Sequence, residues 1–326
     1  MMKEMKGDKE KYLSFVGSRD DICIYNKPFW LDAVCGKNNW DAVVIGEKGE
    51  VAAAVPFHFK NRYGIRAVLQ PQLTQCFDFW IRPMEEFKTE RALHYQFKWI
   101  GEIAKRLTEF GADFYDLRYS GELLNGEAFN WEGFRQEVRY SFVIPQGQNI
   151  DEVLSQMDRA TRAGIQKAAA HACLVPLNDI EQFYDIKNTA FMQKGMKNPN
   201  SKKAYERLYR ACRANNACKM LAVKDEEGEI CCAGLYVFDS RYVYELLVGI
   251  MPEKNAYNYK ALMTYEMIKF ACETGRGFDF EGSMVKGIAE HNRRFGAGQV
   301  KYYRFWKTQT KNPLKKIALD QLSDSL

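Results

Sequence analysis

One order of elements is written twice in this chain, and that constrains its fold more than any other feature. Residues Ala42 to Phe57 read as a short strand, a glycine-containing turn and a second strand. The same grammar returns at Leu221-Ala222-Val223, a turn at Glu226-Glu227-Gly228-Glu229, and a strand from Ile230 to Phe238. Each hairpin is later followed by an amphipathic helix. In the first half it runs from Arg91 to Phe110, with Phe97, Ile100, Ala104, Leu107 and Phe110 at helical spacing; Gly111 stops it and Phe114-Tyr115-Asp116-Leu117 follows. In the second half Ala261, Tyr265, Ile268 and Cys272 mark one face of a helix from about Asn258 to Glu273. Gly275 and Gly277 end it, and Phe278-Asp279-Phe280-Glu281-Gly282 follows. Hairpin, helix, glycine stop and aromatic–Asp strand thus occur twice, which reads as a duplication of one α/β (α+β) unit.

The 326 residues suit two such units, at about 150 residues per domain. Three helices are expected between the halves. The first spans Asp151 to about His171, the second follows Asn178 as N-cap with Glu181 three residues on, and the third opens at Ser201. The boundary is expected at Pro145-Gln146-Gly147-Gln148. The predicted division is a first unit over 1–145, a second over 146–310 holding the cleft, and a loosely packed, polar, basic tail over 311–326.

Composition narrows the class. A hydrophobic content of 46% with 14% aromatics supplies real cores. Residues 1–145 carry 20 basic against 21 acidic side chains, and residues 146–326 carry 27 against 21, so the positive charge lies in the second half. That balance permits an anionic partner. No stretch approaches the ~18 uninterrupted apolar residues of a membrane span. The charged start, Met1 to Lys11, has no apolar core of a signal peptide, so a cytoplasmic location is expected. Nine cysteines without a C-x-x-C pair then read as reduced thiols, and four widely spaced histidines make no zinc signature. A G-x-S-x-G elbow, a Walker loop and a G-x-G-x-x-G fingerprint are all missing, which leaves familiar hydrolases, kinases and dehydrogenases unsupported.

The densest polar cluster runs from Phe278 to Lys307. There the strand ending in Asp279 and Glu281 hands over to Gly282-Ser283, then to Arg293-Arg294-Phe295-Gly296 and a terminal strand Val300 to Lys307. The bland reading of this cluster is a capped strand end beside a solvated basic face. Ala271-Cys272-Glu273-Thr274-Gly275, the aromatic–Asp strand through Ser283, and Phe295-Gly296 resemble the C-terminal part of the Fem-type transferases. Those enzymes consist of two fused GNAT-like (N-acetyltransferase-fold) units. The segment Arg159 to Ala168, with Arg162, is similar to the basic helix that opens their second unit. The resemblance implies two tandem GNAT-like units of mixed sheets flanked by helices. It also implies an N-acyltransferase moving an acyl or aminoacyl group onto an amine, in known members often of a peptidoglycan precursor. The donor implied is an aminoacyl-tRNA or an acyl-CoA, with no tightly bound cofactor.

Two departures bear on the donor. The loop Gly249 to Lys260, where acyl-CoA enzymes present glycine amides to pyrophosphate, has no glycine after Gly249. His291-Asn292 stands where several Fem-type enzymes carry Phe-Lys, so Arg293 or Arg294 would have to meet a nucleic-acid phosphate. Amine acylation needs a proton acceptor, because a free alkylammonium has a pKa of about 10. Glu281, with the longer reach, and Asp279 are the candidates. Arg294, Lys301 and Arg304 are expected to hold phosphate or carboxylate. Tyr303, Tyr259, Lys260 and Arg162 complete the expected substrate-binding set, tyrosines among cations also suiting RNA. An acyl-CoA-dependent enzyme acting on a small-molecule amine and a non-catalytic binding module remain the alternatives.

Overall fold

A β-hairpin, a third strand, a helix and a parallel fourth strand are built twice in the computed structural model. The structure describes residues 7–17, 19–83, 89–121, 126–193, 195–251, 253, 257–282 and 284–324. In chain order the first half holds α1 (Lys9–Val16), α2 (Pro28–Cys35), β1 (Trp40–Glu47), β2 (Glu50–Arg62), β3 (Ile65–Leu69) and β4 (Trp80–Ile81). It continues with α3 (Thr89–Glu109), β5 (Phe114–Ser120), α4 (Glu127–Trp131) and β6 (Arg135–Ile144). The second half begins with α5 (Ile150–Gln156), α6 (Arg159–Ala170), β7 (Ala172–Pro176), α7 (Ile180–Met192) and α8 (Lys202–Ala214). Then come β8 (Cys218–Asp225), β9 (Ile230–Phe238), β10 (Tyr242–Ile250), α9 (Tyr259–Glu273), β11 (Gly277–Asp279), α10 (Lys286–Arg293), β12 (Gly298–Thr308) and α11 (Pro313–Asp324).

The two copies share a ladder pattern. In the first, β1 pairs antiparallel with β2, β2 antiparallel with β3, and β3 parallel with β5. In the second, β8 pairs antiparallel with β9, β9 antiparallel with β10, and β10 parallel with β11. Both parallel ladders are three residues long: Ala67–Leu69 against Phe114–Asp116, and Tyr242–Tyr244 against Gly277–Asp279. Asp116 and Asp279 therefore hold the same place, at the last rung. A parallel pair needs a crossover, and α3 and α9 supply it.

The chain divides into one unit of residues 1–139 and 301–326 and another of residues 140–300. This differs from a boundary near Pro145 and a second unit reaching 310. Each unit is closed by a strand that arrives from the other half of the sequence. The end of β6 pairs antiparallel with β11, Ile144 opposite Phe278, and β12 pairs antiparallel with β5 over Tyr302–Thr308. The terminal segment is also not a loose tail: α11 forms there, and Leu319 is buried with Ala67 and Phe114.

Each core follows from burial of one face. In the first unit α3 turns Trp99, Ile100, Ile103, Ala104 and Leu107 inward, while Phe57, Phe77, Leu117, Tyr119 and Phe129 are buried. In the second, Leu262, Met263, Met267, Ile268 and Ala271 of α9 pack with Val223, Tyr236, Val243 and Phe278. The expected helix from Asp151 to His171 is two helices. Met157 is extended (ψ 139°) and the Asp158 side chain accepts from the Thr161 amide to start α6 anew. Asp179, rather than Asn178, caps α7, accepting from the amides of Glu181 and Gln182.

Candidate functional site

The site is built where β10 and β11 part. Their ladder ends at Tyr244 and Asp279, and the register of β10 on β9 shifts between Tyr244 and Leu247. Strand β10 runs on from Glu245 to Ile250 paired with β9, so the side vacated by β11 holds strand backbone that β11 no longer reaches. Bulges of this kind re-aim a strand beside functional clefts.

Past Asp279 the chain turns sharply. Glu281 has φ +61° and Gly282 φ +53°. A glutamate in the left-handed region carries backbone strain of about 1 kcal/mol or more, which its surroundings must offset. Asp279 supplies part of that offset: its Oδ1 accepts from the Glu281 amide at 2.8 Å and from Ser141 Oγ at 2.7 Å. Asp279 thus stitches the turn that presents Glu281. The Glu281 Oε1 atom is buried and has no hydrogen-bond partner among the described residues. Burial pushes this carboxyl up to about 8, since an ionised group loses its hydration there.

Further buried polar groups lie on α10. His291 stacks edge-on against Phe295 with ring centres 5.2 Å apart. Phe295 lies 5.5 Å from Phe280, which is edge-on to Phe278 at 4.8 Å, so an aromatic chain ties α10 to the Glu281 turn. His291 Nε2 is buried without a partner among the described residues, and burial, with Lys260 and Arg294 nearby, lowers its pKa to about 3. Asn292 is 1% exposed, and neither of its side-chain amide atoms has a partner among the described residues. Orphaned buried polar atoms carry a cost and ask for a ligand or water. The Phe295-Gly296 turn is fixed by fit: Gly296 has φ +78°, and a Cβ there would come within 2.7 Å of Gln156 Cβ and 2.9 Å of its carbonyl carbon. The Asp158 amide donates to the Arg294 carbonyl at 2.9 Å beside it.

A second, satisfied network joins α9 to β9 and β10. Thr264 Oγ1 donates to Glu245 Oε1 at 2.7 Å, Lys260 Nζ is 3.3 Å from Glu245 Oε2, and the Tyr236 hydroxyl is 3.4 Å from Oε1. The buried carboxylate is held by a cation and a hydroxyl, the condition under which burial is tolerated.

The expected residues scatter into different roles. Glu281 and Asp279 share the turn, with Glu281 the one left unpartnered at Oε1. Lys260 is drawn onto Glu245, and Tyr259, 3% exposed, packs in the second core. Arg162 donates from Nη1 to the Leu154 carbonyl at 3.0 Å, tying α6 to α5. Arg294 is exposed at the end of α10. Lys301, Tyr303 and Arg304 belong to the first unit. Arg304 is 3% exposed and grips Asp116 with Nη2 to Oδ2 at 2.8 Å and Nε to Oδ1 at 3.1 Å, so its fork is already filled. Tyr303 stacks on Phe305, 6.0 Å between ring centres, on the opposite face of β12 from Arg304. Lys301 is exposed. Ser283 and residues 252 and 254–256 of the loop before α9 lie outside the described residues. Sequence reasoning passed over Glu245, Thr264 and Asn292 as side chains, because hydrophobic periodicity carries no mark for a buried polar residue. His291 and Asn292 drew notice only as a departure from a motif.

Residues 154–293 are similar to the Acetyltransferase (GNAT) domain family, a match over less than half of the chain. No curated protein matches the sequence at a significant level. Among solved structures, FemX aligns over 97% of this chain and 99% of its own with a TM-score of 0.68 and 14% identity. L-PGS from Bacillus licheniformis aligns over 98% and 99% with a TM-score of 0.55 and 12% identity. A tandem GNAT protein from the clavulanic acid biosynthesis pathway aligns over 94% and 98%, with a TM-score of 0.51 and 11% identity. At such identities the likeness is one of fold. The expected resemblance to Fem-type, tandem GNAT-like architecture holds at that level over nearly the whole chain.

Proposed function

We propose that the protein N-acylates an amine, with Glu281 as the proton acceptor and the parting of β10 and β11 as the place where the acyl carbonyl is held. The single observation that carries this reading is the Glu281 carboxyl: strained into position, unpartnered at Oε1, and poised near 8 at the end of the acyltransferase domain's aromatic–Asp strand. An ammonium acceptor gives a proton to ionised Glu281, and the neutral nitrogen forms a bond to the carbonyl carbon. The tetrahedral intermediate then collapses, the C–S or C–O bond to the donor breaks, the leaving thiolate or alkoxide takes the proton that the acylated nitrogen gives up, and Glu281 returns its own proton to solvent. A base whose pKa lies near the working pH is effective for such a step, contributing about 10²–10⁴-fold. Backbone N–H groups of Glu245–Gly249 are suited to the developing oxyanion.

The donor is a CoA thioester or an aminoacyl ester of tRNA, and the acceptor a small-molecule amine or a peptidoglycan precursor, in the cytoplasm. The exposed Arg293 and Arg294 at the end of α10 suit a phosphate-bearing donor. Asp279, Asn292 and His291 position rather than react. The test incubates purified protein with acetyl-CoA or a mixture of aminoacyl-tRNAs and a panel of amines, reading amide products by mass spectrometry. Product with one donor supports the reading and names the donor; no product with either, under conditions where the protein stays folded, contradicts it.

A further inference from the structure

We propose that the first unit carries a binding site for one oxyanion, a phosphoryl or carboxylate group, centred on Arg118. The argument begins from the duplication. Asp116 and Asp279 occupy the same last rung of equivalent parallel ladders. Two residues on, the second copy has Glu281 and the first has Arg118. Both have a buried side-chain atom with no hydrogen-bond partner among the described residues, Glu281 Oε1 and Arg118 Nε. The place that holds an unpaired acid in one copy holds an unpaired cation in the other.

The surroundings of Arg118 fix the charge of what it takes. On β5 and β12, residues directly opposite share a face, and the pairs are Asp116 with Trp306, Arg118 with Arg304, and Ser120 with Tyr302. Arg118 and Arg304 are like charges facing each other, a destabilising pair unless anions intervene. The carboxylates present are already engaged. Asp116 is gripped by Arg304, and Glu137 lies 3.5 Å from Arg304 Nη1 and accepts from Arg139 Nε at 3.0 Å. Arg139 also bonds the Tyr302 hydroxyl. Among the described residues, three guanidinium groups therefore share these two carboxylates, and Arg118 has no hydrogen bond to either. Burial and the positive charges of Arg139 and Arg304 lower its pKa, against the opposing pull of Asp116 and Tyr302. A bound oxyanion would supply the missing negative charge and accept two parallel N–H bonds from the planar fork.

This inference does not rest on the acyl-transfer reading, and binding is measured without turnover. Isothermal titration of the full chain with inorganic phosphate, and separately with acetate, should give saturable one-site binding to at least one of them. The tighter arm identifies the phosphoryl or the carboxylate source. Arg118→Gln should weaken that binding at least tenfold, while Lys286→Gln, at an exposed lysine of α10, should leave it unchanged. A second measurement needs no variant: the same anion should slow modification of Arg118 by phenylglyoxal severalfold, read by peptide mass spectrometry. Absence of saturable binding to either anion, equal affinity in Arg118→Gln, or an Arg118 modification rate indifferent to the anion would overturn the proposal.

Discussion

The behaviour of Glu281 separates two effects of one proton. Its carboxyl is raised from 4.5 to about 8 in the folded chain. Folding therefore binds this proton more tightly than unfolding does, so its contribution to stability is full below about 4.5 and is lost as pH rises to about 8. Transfer needs the ionised form, so rate rises over the range where stability falls. Glu281→Gln should lower kcat by about 10²–10⁴-fold and, in a urea series across pH 5–9, flatten the stability decline. Glu281→Gly should also abolish transfer yet keep or gain stability, because glycine accepts φ +61° without strain. His291 has the opposite sense: held near 3, it should show no imidazole titration by NMR between pH 5 and 8, and stability should fall below pH 6.5 as the unfolded state binds its proton. Residues of the site were only partly legible in the sequence. An acidic pair closing a strand is visible as spacing, and Glu281 follows from it. That Arg304 is spent on Asp116 is not visible, because the partner lies 188 positions away.

Element packing rests on positions where side chains cannot grow. A Cβ on Gly277 would meet the Tyr242 ring at 2.4 Å and the Ile144 carbonyl oxygen at 2.6 Å, where β11 is sandwiched between β10 and β6. Gly277→Ala should cost about 1–3 kcal/mol in thermal or urea unfolding, from overpacking at fixed backbone. Gly296→Ala adds a left-handed φ to a clash with Gln156 and should cost at least as much. At the other end of the chain, Leu319→Ala should lower stability by about 2 kcal/mol or more, by leaving a cavity beside Ala67 and Phe114. Helices and hairpins were legible from period and glycine stops, since α3, α9, β8 and β9 fall within a few residues of expectation. The break at Met157-Asp158 was not, because an N-cap aspartate inside a helical pattern reads equally as a surface position. Helix α11 was masked by its lysines, whose charge hid one inward leucine.

For the molecule as a whole, the duplication was legible but the exchange of closing strands was not. Order along a sequence says which elements exist, and the pairing of β12 with β5 is a long-range register that local pattern cannot reveal. One consequence is direct: a chain ending at residue 300 loses Arg304 and leaves buried Asp116 without its cation. The first unit should then fail to melt cooperatively, since an uncompensated buried charge alone costs about 3–5 kcal/mol. Arg304→Met, which keeps the strand, should destabilise by the charge effect alone. No described helix is long and apolar enough to cross a membrane. The most direct test of the whole account is the pH dependence of kcat for amide formation in the wild-type chain and in Glu281→Gln. A limb rising through a midpoint near 8 that vanishes with the glutamine is the predicted result. An unchanged profile and rate in the variant would contradict it.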